Sequence, residues 1–343
     1  MFSVAGSHGG DEVHKYERIY SAAKYFLASV SIHGANLQQL SEIENMKHLS
    51  LLAIACMLRL FSEAQVAPPN VLIVIAHPDD ESGIDATVYK ITHELHGNVD
   101  LALITNGEGG YKYSTLAEAY YNLELTDEKV GRANLPRIRK QELMNAGKII
   151  GIRNYFFMDQ WDRKYTTDER DPLDTAWDVG LVMVQLRRIM MNVKYDYVFC
   201  LLPLPETHGH HKAATILALQ TVEQLPEEQK PIILGNSTSN KSDTARTVFE
   251  QLKDYKETAI NKNAPVFMLD RTVKFGYKNT LDYMTILNWC IAEHKSQGTM
   301  QGQYNKGDFE NFWYFNINSE KGIEKTRLLF EELKKVPYPS KTY

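Results

Sequence analysis

The sequence predicts an α/β protein, a Rossmann-like three-layer sandwich in which helices cover both faces of a mainly parallel sheet. Short apolar runs alternate with segments of helical periodicity, which is typical of parallel strands joined by crossover helices. The first run, Val71–Ala76, has six apolar residues in succession, as expected for a strand that is buried on both faces. We find no internal repeat that would indicate a solenoid or a propeller.

The elements follow from this alternation in chain order. The expected strands are Val71–Ala76, Asp100–Thr105, Asn154–Met158, Tyr197–Leu202, Pro231–Leu234 and Val266–Leu269. The expected helices, recognised by apolar residues three or four positions apart, are Gly83–Leu95, Ile138–Ile150, Ala176–Asn192, Lys212–Leu225, Leu281–Lys295 and Glu320–Leu333. Gly151 follows the second helix as a plausible C-cap. Between the second strand and that helix we expect an aromatic-rich insertion, Tyr111–Pro136.

Composition excludes several classes of protein. The 343 residues are 43% hydrophobic, which is enough for a sizeable core, and the formal net charge of −5 argues against nucleic acid or an anionic membrane as a partner. Three cysteines, an odd and sparse set, do not form a disulfide framework. No apolar run is long enough to span a bilayer.

The N-terminal part resembles an export signal preceded by unrelated sequence. Residues 1–45 are polar and irregular and are predicted to be an upstream extension, either disordered or not native. Residues 46–67 have a basic start, an apolar core and small residues at Ser62 and Ala64, the layout of a signal peptide. Residues 68–343 would then form a single secreted or periplasmic domain. If the signal peptide beginning at Met46 is not real, the protein is cytoplasmic, with an N-terminal extension and an amphipathic helix.

Ionisable residues are concentrated directly after the first strand, in the stretch His77-Pro-Asp-Asp-Glu81. Pro78 ends the strand, because proline has no N–H to donate to a neighbouring strand. The four ionisable side chains are therefore expected in a loop at the carboxyl end of the strand. Open α/β sheets bind their ligands at this edge.

A second cluster, Glu206-Thr-His-Gly-His-His211, follows the fourth strand and is expected at the same edge of the sheet. Histidine nitrogens and carboxylate oxygens are zinc ligands, and a catalytic zinc ion commonly has three protein ligands and one open position. We therefore expect His77 and Asp80 to share one ion with a histidine of the second cluster. The alternative is a group of solvated loop histidines beside an acidic turn.

Asp79 is expected to have a different role from Asp80. Neighbouring loop residues do not readily all face one ion. If Asp80 is a ligand, Asp79 is free to act as a general base on a metal-bound water.

The two clusters together resemble those of the LmbE-like/PIG-L family of zinc-dependent N-deacetylases. The resemblance implies the LmbE-like fold, one Zn²⁺ per chain held by His77, Asp80 and His211, and Asp79 as the general base. It implies that His208 stabilises the oxyanion or protonates the leaving amine. Many relatives have aspartate before the last ligand, where this chain has His210, so the choice between His210 and His211 as third ligand stays open.

Further site residues follow from shorter matches to the family. Arg139 is implied to contact substrate hydroxyl groups while Glu142 holds it; the alternative is a surface ion pair. Asp162 is implied to orient His208, unless it is an ordinary surface-turn aspartate. His294 is a candidate for the substrate cleft, or a helix-end histidine bonded to a carbonyl. Glu81 is expected to cap the next helix or to brace the ligands from behind.

The predicted function is removal of an N-acetyl group from an N-acetylglucosamine-type amino sugar or glycoconjugate, with metal-bound water as the nucleophile. One alternative is an N-acyl hydrolase of a thiol conjugate or another non-sugar amide. An alternative of a different class is a non-catalytic sugar-binding module on the same fold. The expected partner is a small N-acetylated sugar or glycoconjugate, and self-association into a homo-oligomer is left open.

Overall fold

The computed structural model describes residues 67–245 and 247–338. The predicted extension, 1–45, and all but the last residue of the predicted signal peptide, 46–67, lie outside these ranges, so both stay predictions. Among the described residues, no helix has the length and apolar character needed to cross a membrane.

A seven-stranded sheet, parallel over five strands, forms the centre of the described chain and confirms the predicted fold class. Its spatial order is β3-β2-β1-β4-β5-β7-β6; β1 to β5 are parallel, and β7 and β6 pair antiparallel at one edge. The strands are β1 (Asn70–Ile75), β2 (Asn98–Thr105), β3 (Ile152–Gln160), β4 (Tyr197–Leu201), β5 (Ile232–Ser239), β6 (Phe267–Asp270) and β7 (Phe309–Tyr314).

Helices cover both faces of this sheet. They are α1 (Asp85–Tyr89), α2 (Thr115–Tyr121), α3 (Glu128–Ile150), α4 (Val179–Asn192), α5 (Gly209–Glu223), α6 (Met284–Glu293) and α7 (Lys321–Lys334). Single π-helical turns follow α1 at Lys90–Glu94 and precede α4 at Pro172–Ala176. Short 3₁₀ segments are Asp80–Gly83, Glu108–Tyr113, Glu227–Gln229, Lys256–Thr258, Tyr277–Asn279 and Met300–Gln303.

Alternate residues of β1 point into two separate cores. Val71, Ile73 and Ile75 pack in the core beneath α1, α3, α6 and α7. Leu72 and Val74 pack in the opposite core beneath α4 and α5. All five side chains are essentially inaccessible to solvent. The uninterrupted apolar run is therefore explained by burial on both faces of a central strand.

The predicted insertion 111–136 is shorter in the structure, because α3 begins at Glu128. The Asp127 carboxylate caps this helix by accepting a hydrogen bond from the Val130 N–H at 2.9 Å. Pro136 lies inside the helix rather than before it. The predicted helix begins after Pro136, because proline commonly marks a helix boundary. One lost backbone hydrogen bond is nevertheless tolerated within a long helix that packs against the core.

β7 and the second half of β5 were not predicted. The expected fifth strand ends at Leu234, yet β5 continues through the polar residues to Ser239, because β7 pairs with it from Leu234↔Tyr314 to Ser239↔Phe309. This antiparallel partner comes about seventy residues later in the chain, so no local pattern in the polar stretch could reveal it. The extension brings Asn236, Ser237 and Thr238 to the same edge as the two ionisable clusters.

A buried ion pair ties the antiparallel edge to the loop after β1. The Glu310 carboxylate accepts hydrogen bonds from the Ala86 and Thr87 N–H groups, both at 2.9 Å, at the start of α1. Arg271 donates to Glu310 at 2.7 Å and to the Ser82 carbonyl at 2.7 Å. Both charged side chains are almost completely buried. The pair therefore positions the loop that carries His77 to Glu81.

We expect Glu310→Gln to destabilise the protein by about 3 kcal/mol, because the Arg271 charge would be left buried without its counter-charge. The measurement is urea unfolding followed by circular dichroism. Glu324→Gln, which breaks an exposed pair with Arg327, is the matched control and should leave the unfolding midpoint unchanged. Equal midpoints for the two variants would contradict the assigned role of Glu310.

Candidate active site

The two ionisable clusters meet in one cavity at the carboxyl edge of the sheet. β1 has β2 on one side and β4 on the other, so the strand order reverses at β1 and leaves a crevice there. The cavity has a volume of about 630 Å³. Seven of the predicted site residues line it: His77, Asp79, Asp80, Arg139, Asp162, His208 and His211.

The turn after β1 separates the roles of its two aspartates. The Asp80 carboxylate accepts hydrogen bonds from the Ala76 and His77 N–H groups at 3.1 and 2.8 Å, both through Oδ2. Asp79 has a φ of 156°, an uncommon conformation for a residue other than glycine. The turn thus holds Asp80 against the strand end, while Asp79 points to Arg139, with 2.9 Å between its Oδ2 and Nη2.

Two histidine nitrogens and the two oxygens of the Asp80 carboxylate have the spacing of metal ligands in the cavity. His211 Nε2 lies 3.0 Å from His77 Nδ1 and 3.1 Å from Asp80 Oδ1, and His77 Nδ1 lies 3.7 Å from Asp80 Oδ2. Donors of a tetrahedral zinc ion at ~2.0–2.1 Å would be about 3.3 Å apart. Burial alone would raise the pKa of Asp80, but His211 and His77 hold it well below its usual range. The donor set therefore fits a zinc ion.

His210 and His211 have different positions, and this bears on the question that the sequence left open. His211 lines the cavity, whereas His210 is completely buried behind it. His210 Nδ1 contacts His77 Nε2 at 3.1 Å. Burial and the neighbouring histidines hold the pKa of His210 far below its usual value, so its ring is neutral and can accept a hydrogen bond. This geometry favours His211 as the ligand and His210 as the support of His77.

Asp162 lies beside His77 and His210, not in a hydrogen bond with His208 as expected from the sequence. Its Oδ1 is 3.4 Å from His210 Nδ1 and 3.8 Å from His77 Nε2, and its Oδ2 accepts the Gly109 N–H at 3.1 Å. A carboxylate behind a metal-binding histidine commonly fixes the ring orientation. The correction follows from β3 extending to Gln160, which brings Asp162 to the far side of the His77 ring.

His77 belongs to two groups of potential metal ligands, one buried and one facing the cavity. The donor atoms of His77, Asp162 and His210 lie within 4.8 Å of one another, as do those of His77, His208 and His211. The former group is buried throughout, whereas a catalytic zinc site needs a position open to water or substrate. The group that faces the cavity therefore fits a catalytic ion better than the buried group does.

Arg139 is buried and forms a link between Asp79 and the two loops around it. Its guanidinium donates to the Gly107 carbonyl at 2.6 Å and to the Pro78 carbonyl at 3.0 Å, in addition to the Asp79 contact. Gly107 has a φ of 72°, and a Cβ there would lie 2.5 Å from Arg139 Nη1, so this loop position requires glycine. Burial raises the pKa of Asp79, and the Arg139 charge offsets only part of that effect.

Glu142 does not hold Arg139, contrary to the expectation from the sequence. Its carboxylate accepts hydrogen bonds from the Ser296 N–H at 2.8 Å, the Ser296 hydroxyl at 2.6 Å and the Tyr121 hydroxyl at 2.7 Å. Residues three apart on a helix are neighbours, but these donors from distant segments satisfy the carboxylate first. Glu142 thus anchors the segment after α6 to α3.

Glu81 and His294 form a buried pair beneath the site, which corrects two predictions. His294 Nε2 is 2.5 Å from Glu81 Oε1 and both side chains are fully buried, so His294 does not reach the substrate cleft. Nor is it bonded to a backbone carbonyl, the alternative that the sequence allowed. Glu81 does not cap a helix; its described partner is His294. Burial lowers the pKa of His294, but Glu81 outweighs it and raises that pKa to about 9.

This pair predicts a loss of stability in mild alkali. Because the pKa of His294 is about 9 in the folded protein and 6.5 in the reference state, the stabilisation is complete below pH 6.5 and disappears as the pH rises through 9. The free energy of unfolding should fall by about 3 kcal/mol over this range. Guanidinium unfolding at several pH values measures it. His294→Gln should remove this part of the pH dependence; parallel curves for both proteins would contradict it.

His208 lines the cavity beside the proposed ligands. Its Nε2 is 3.3 Å from the Lys164 carbonyl, and its ring stacks on Tyr165 with centroids 4.9 Å apart. Burial, with His77 and His211 nearby, lowers its pKa to about 4. In the neutral ring the proton on Nε2 faces the Lys164 carbonyl. Donation to a substrate therefore requires either a second proton on His208 or release of this contact.

Several residues that line the cavity were not predicted from the sequence to belong to the site. Asn236, Ser237 and Thr238 come from the extended part of β5, and Lys306 comes from the loop before β7. A Cβ at Gly83 would lie 2.6 Å from Asn236 Oδ1, so a glycine there allows the loop after β1 to approach β5 closely. The only signal in the sequence was a polar run directly after an apolar one.

Comparison with known families agrees with this arrangement. Residues 72–222 match the family model described as PIG-L, GlcNAc-PI de-N-acetylase. This part of the chain is thus similar to a PIG-L, LmbE-like domain. The matched range runs from β1 to the end of α5 and so contains both ionisable clusters, which confirms the resemblance drawn from their residues.

The individual proteins to which this chain is similar are distant. The chain is 24% identical over 164 residues to a probable N-acetyl-alpha-D-glucosaminyl L-malate deacetylase 2 from Bacillus cereus. The aligned part is 48% of this chain and 66% of that protein, just under two thirds of its length. Among solved structures, N,N'-diacetylchitobiose deacetylase from Pyrococcus horikoshii is 18% identical, with a TM-score of 0.44 and coverage of 75% and 91%. The 4-carboxy-2-hydroxymuconate hydratase from Pseudomonas putida is 14% identical, with a TM-score of 0.46 and coverage of 71% and 95%.

Proposed function

We propose that the chain is a zinc-dependent N-deacetylase that acts on an N-acetylglucosamine-type amino sugar or glycoconjugate. The observation that carries the proposal is the set of donor atoms from His77, Asp80 and His211, 3.0 to 3.7 Å apart, beside the Asp79–Arg139 pair in one cavity. The match to the PIG-L family model and the name of the Bacillus cereus relative support an N-acetylated sugar as the substrate.

His77, Asp80 and His211 would hold the zinc ion. When bound, zinc supplies Lewis acidity toward the acyl oxygen and lowers the pKa of water toward neutrality. His210 and Asp162 keep the His77 ring in orientation from its other side, and the backbone N–H groups of residues 76 and 77 do the same for Asp80.

Asp79 is the base of the proposed reaction. Water adds to the acyl carbon and gives a proton to Asp79; the C–N bond then breaks as the nitrogen receives that proton, directly or through His208, which releases acetate and a free amine and restores the Asp79 carboxylate. The raised pKa of Asp79 makes its carboxylate a better proton acceptor than an exposed aspartate. Arg139 keeps Asp79 in place and stabilises its ionised form.

His208 is placed to act on the tetrahedral intermediate. At neutral pH its ring is uncharged, since its pKa is about 4. Negative charge that develops on the acyl oxygen favours protonation of a neighbouring imidazole, and the imidazolium can donate to that oxygen or to the leaving nitrogen. The stack on Tyr165 holds the ring at the cavity wall.

The size and rim of the cavity favour a sugar over a small acetamide. A volume of about 630 Å³ lies within the ~300–1,000 Å³ typical of small-molecule sites. Tyr113 and Tyr165 line it and are 48% and 70% exposed, so their rings can stack on a sugar face. The retained Asp79 and the intact ligand set speak against a purely binding module.

The deciding experiment measures zinc content and acetate release together, on N-acetylglucosamine conjugates and on N-acetylcysteine conjugates in parallel. We expect one zinc ion per chain and acetate release from the sugars. Release from the thiol conjugates alone would favour the alternative substrate class. Sugar binding without release of acetate from any substrate would make the protein a binding module and overturn the proposal.

A further inference from the structure

A second cavity, of about 540 Å³, lies next to the catalytic one. Thr247 lines both cavities, and the neighbouring β5 residues Thr238 and Ser239 line the first and the second respectively. The described residues that line the second cavity all lie between positions 239 and 313, beyond the 72–222 match to the PIG-L model. The second cavity is thus a feature of the C-terminal part of this chain and adjoins the proposed active site at Thr247.

Alternate residues of β7 form the floor of this cavity. Phe309, Asn311 and Trp313 line it and are half-buried, whereas Phe312 packs in the opposite core and Glu310 is buried in its pair with Arg271. At about 3.4 Å per residue, the two aromatic side chains start about 14 Å apart with an amide midway. This spacing suits a ligand longer than one sugar ring, with stacking at both ends and hydrogen bonding between them.

Hydrogen bonds to β5 hold this floor in place. Asn311 Nδ2 donates to the Ser239 hydroxyl at 2.9 Å, and Trp313 Nε1 donates to the Ser237 hydroxyl at 3.2 Å. Side chains fixed in this way lose little conformational entropy when a ligand binds, and such preorganisation favours affinity.

The two charged side chains among the described residues that line the cavity, Lys241 and Asp243, both have partners within the protein. Lys241 Nζ lies 3.1 Å from Asp270 Oδ2, and the Asp243 carboxylate accepts the Asn240 N–H at 2.6 Å. The rest of the lining offers aromatic surface, hydroxyl groups and amides, together with the partly exposed aliphatic side chains of Val266 and Met268. These groups match a neutral ligand with many hydroxyl groups and apolar C–H faces, which is the chemistry of a carbohydrate.

We propose that the second cavity binds the glycan chain that extends from the N-acetylated sugar in the catalytic cavity. The inference rests on the proposed deacetylase function, because it names the substrate class as an oligosaccharide or an extended glycoconjugate. Thr247 lies where the chain passes from one cavity to the other. Phe309 and Trp313 stack on its rings, and Asn311 hydrogen-bonds to its hydroxyl groups.

The kinetic test compares N-acetylglucosamine with its β-1,4-linked di-, tri- and tetrasaccharides. We expect kcat/KM for acetate release to rise with chain length. Phe309→Ala and Asn311→Ala should lower kcat/KM for the trisaccharide about three- to tenfold and leave the monosaccharide unchanged. Trp289→Ala, which removes a 55% exposed aromatic side chain that lines neither cavity, is the matched control and should resemble the wild type. A kcat/KM that does not depend on chain length would overturn the inference.

A binding test separates this inference from the proposed function. Tryptophan fluorescence of the zinc-loaded Asp79→Asn protein is titrated with the trisaccharide, and the part of the signal that Trp313→Phe removes is assigned to the second cavity. A Trp313 signal with no acetate release by the wild type from any substrate would support the glycan site and refute the deacetylase. Acetate release without a Trp313 signal would do the reverse. A Trp313 response to n-octyl glucoside but not to the trisaccharide would make the cavity an acyl-chain site and overturn the inference.

Discussion

We expect Asp79→Asn to lower the rate of acetate release by about 10²- to 10⁴-fold, the range for loss of a general base. Asparagine has nearly the same shape as aspartate but cannot take a proton from water. Because Asp79 is paired with Arg139 rather than placed among the zinc ligands, zinc content should stay at the wild-type level. The measurements are kcat by acetate assay and zinc per chain by elemental analysis.

Asp159→Asn is the control for this substitution. This substitution makes the same change of charge, but at an exposed side chain on β3 that lines neither cavity. Asparagine also tolerates the φ of 53° at this position. Its kcat should equal that of the wild type. An Asp79→Asn protein with full activity would show that the proton acceptor has been misassigned.

We expect His211→Gln to abolish zinc binding, whereas His210→Gln should only weaken it. His211 Nε2 is one of the donor atoms, and loss of one of three protein ligands should leave no zinc after gel filtration. His210 acts on zinc only through the His77 ring, so its loss should weaken affinity by about 10- to 100-fold. Competition with a chelator measures both effects.

The two histidines provide their own matched control, since they are neighbours with the same substitution. Zinc loss in His210→Gln together with retention in His211→Gln would reverse the assignment of the third ligand. Retention in both variants would favour the alternative in which His77, Asp162 and another group hold the ion. Circular dichroism of each variant confirms that the domain stays folded.

The pattern of apolar residues was sufficient to predict the parallel part of the sheet. A central parallel strand is buried on both faces, and this requirement leaves a continuous apolar run such as 71–76 that can be recognised without any partner strand. The antiparallel edge was not recognised in the same way. β7 alternates between two environments, and the pairing that extends β5 depends on residues about seventy positions away.

The site shows the same division between local and distant information. The grouping of His77, Asp79 and Asp80 is local, and the expectation that His208 to His211 join them follows from the rule that parallel strands end at one edge. The cavity confirms that the two clusters meet. The partners of the supporting residues could not be predicted in this way, because each is bound by a segment that is distant in the sequence.

Glu142 and Glu81 illustrate why the partners of buried carboxylates could not be predicted from the sequence. Spacing along α3 made Arg139 a reasonable partner for Glu142, yet Ser296, 154 residues away, donates two hydrogen bonds to it. Glu81 pairs with His294 across 213 residues. A buried carboxylate binds the strongest donors that packing brings to it, and sequence neighbours have no advantage once the chain is folded.

By itself, the sequence determined the α/β class, the strand that leads into the site and the two clusters that line its cavity. These depend on periodicity and on the ends of strands, which are properties of short segments. Only the tertiary structure decided that His211 rather than His210 faces the cavity, that Asp162 supports His77, that His294 is buried, and that a second cavity adjoins the first. Those features depend on which side chains from distant segments become neighbours, and that is a property of packing alone.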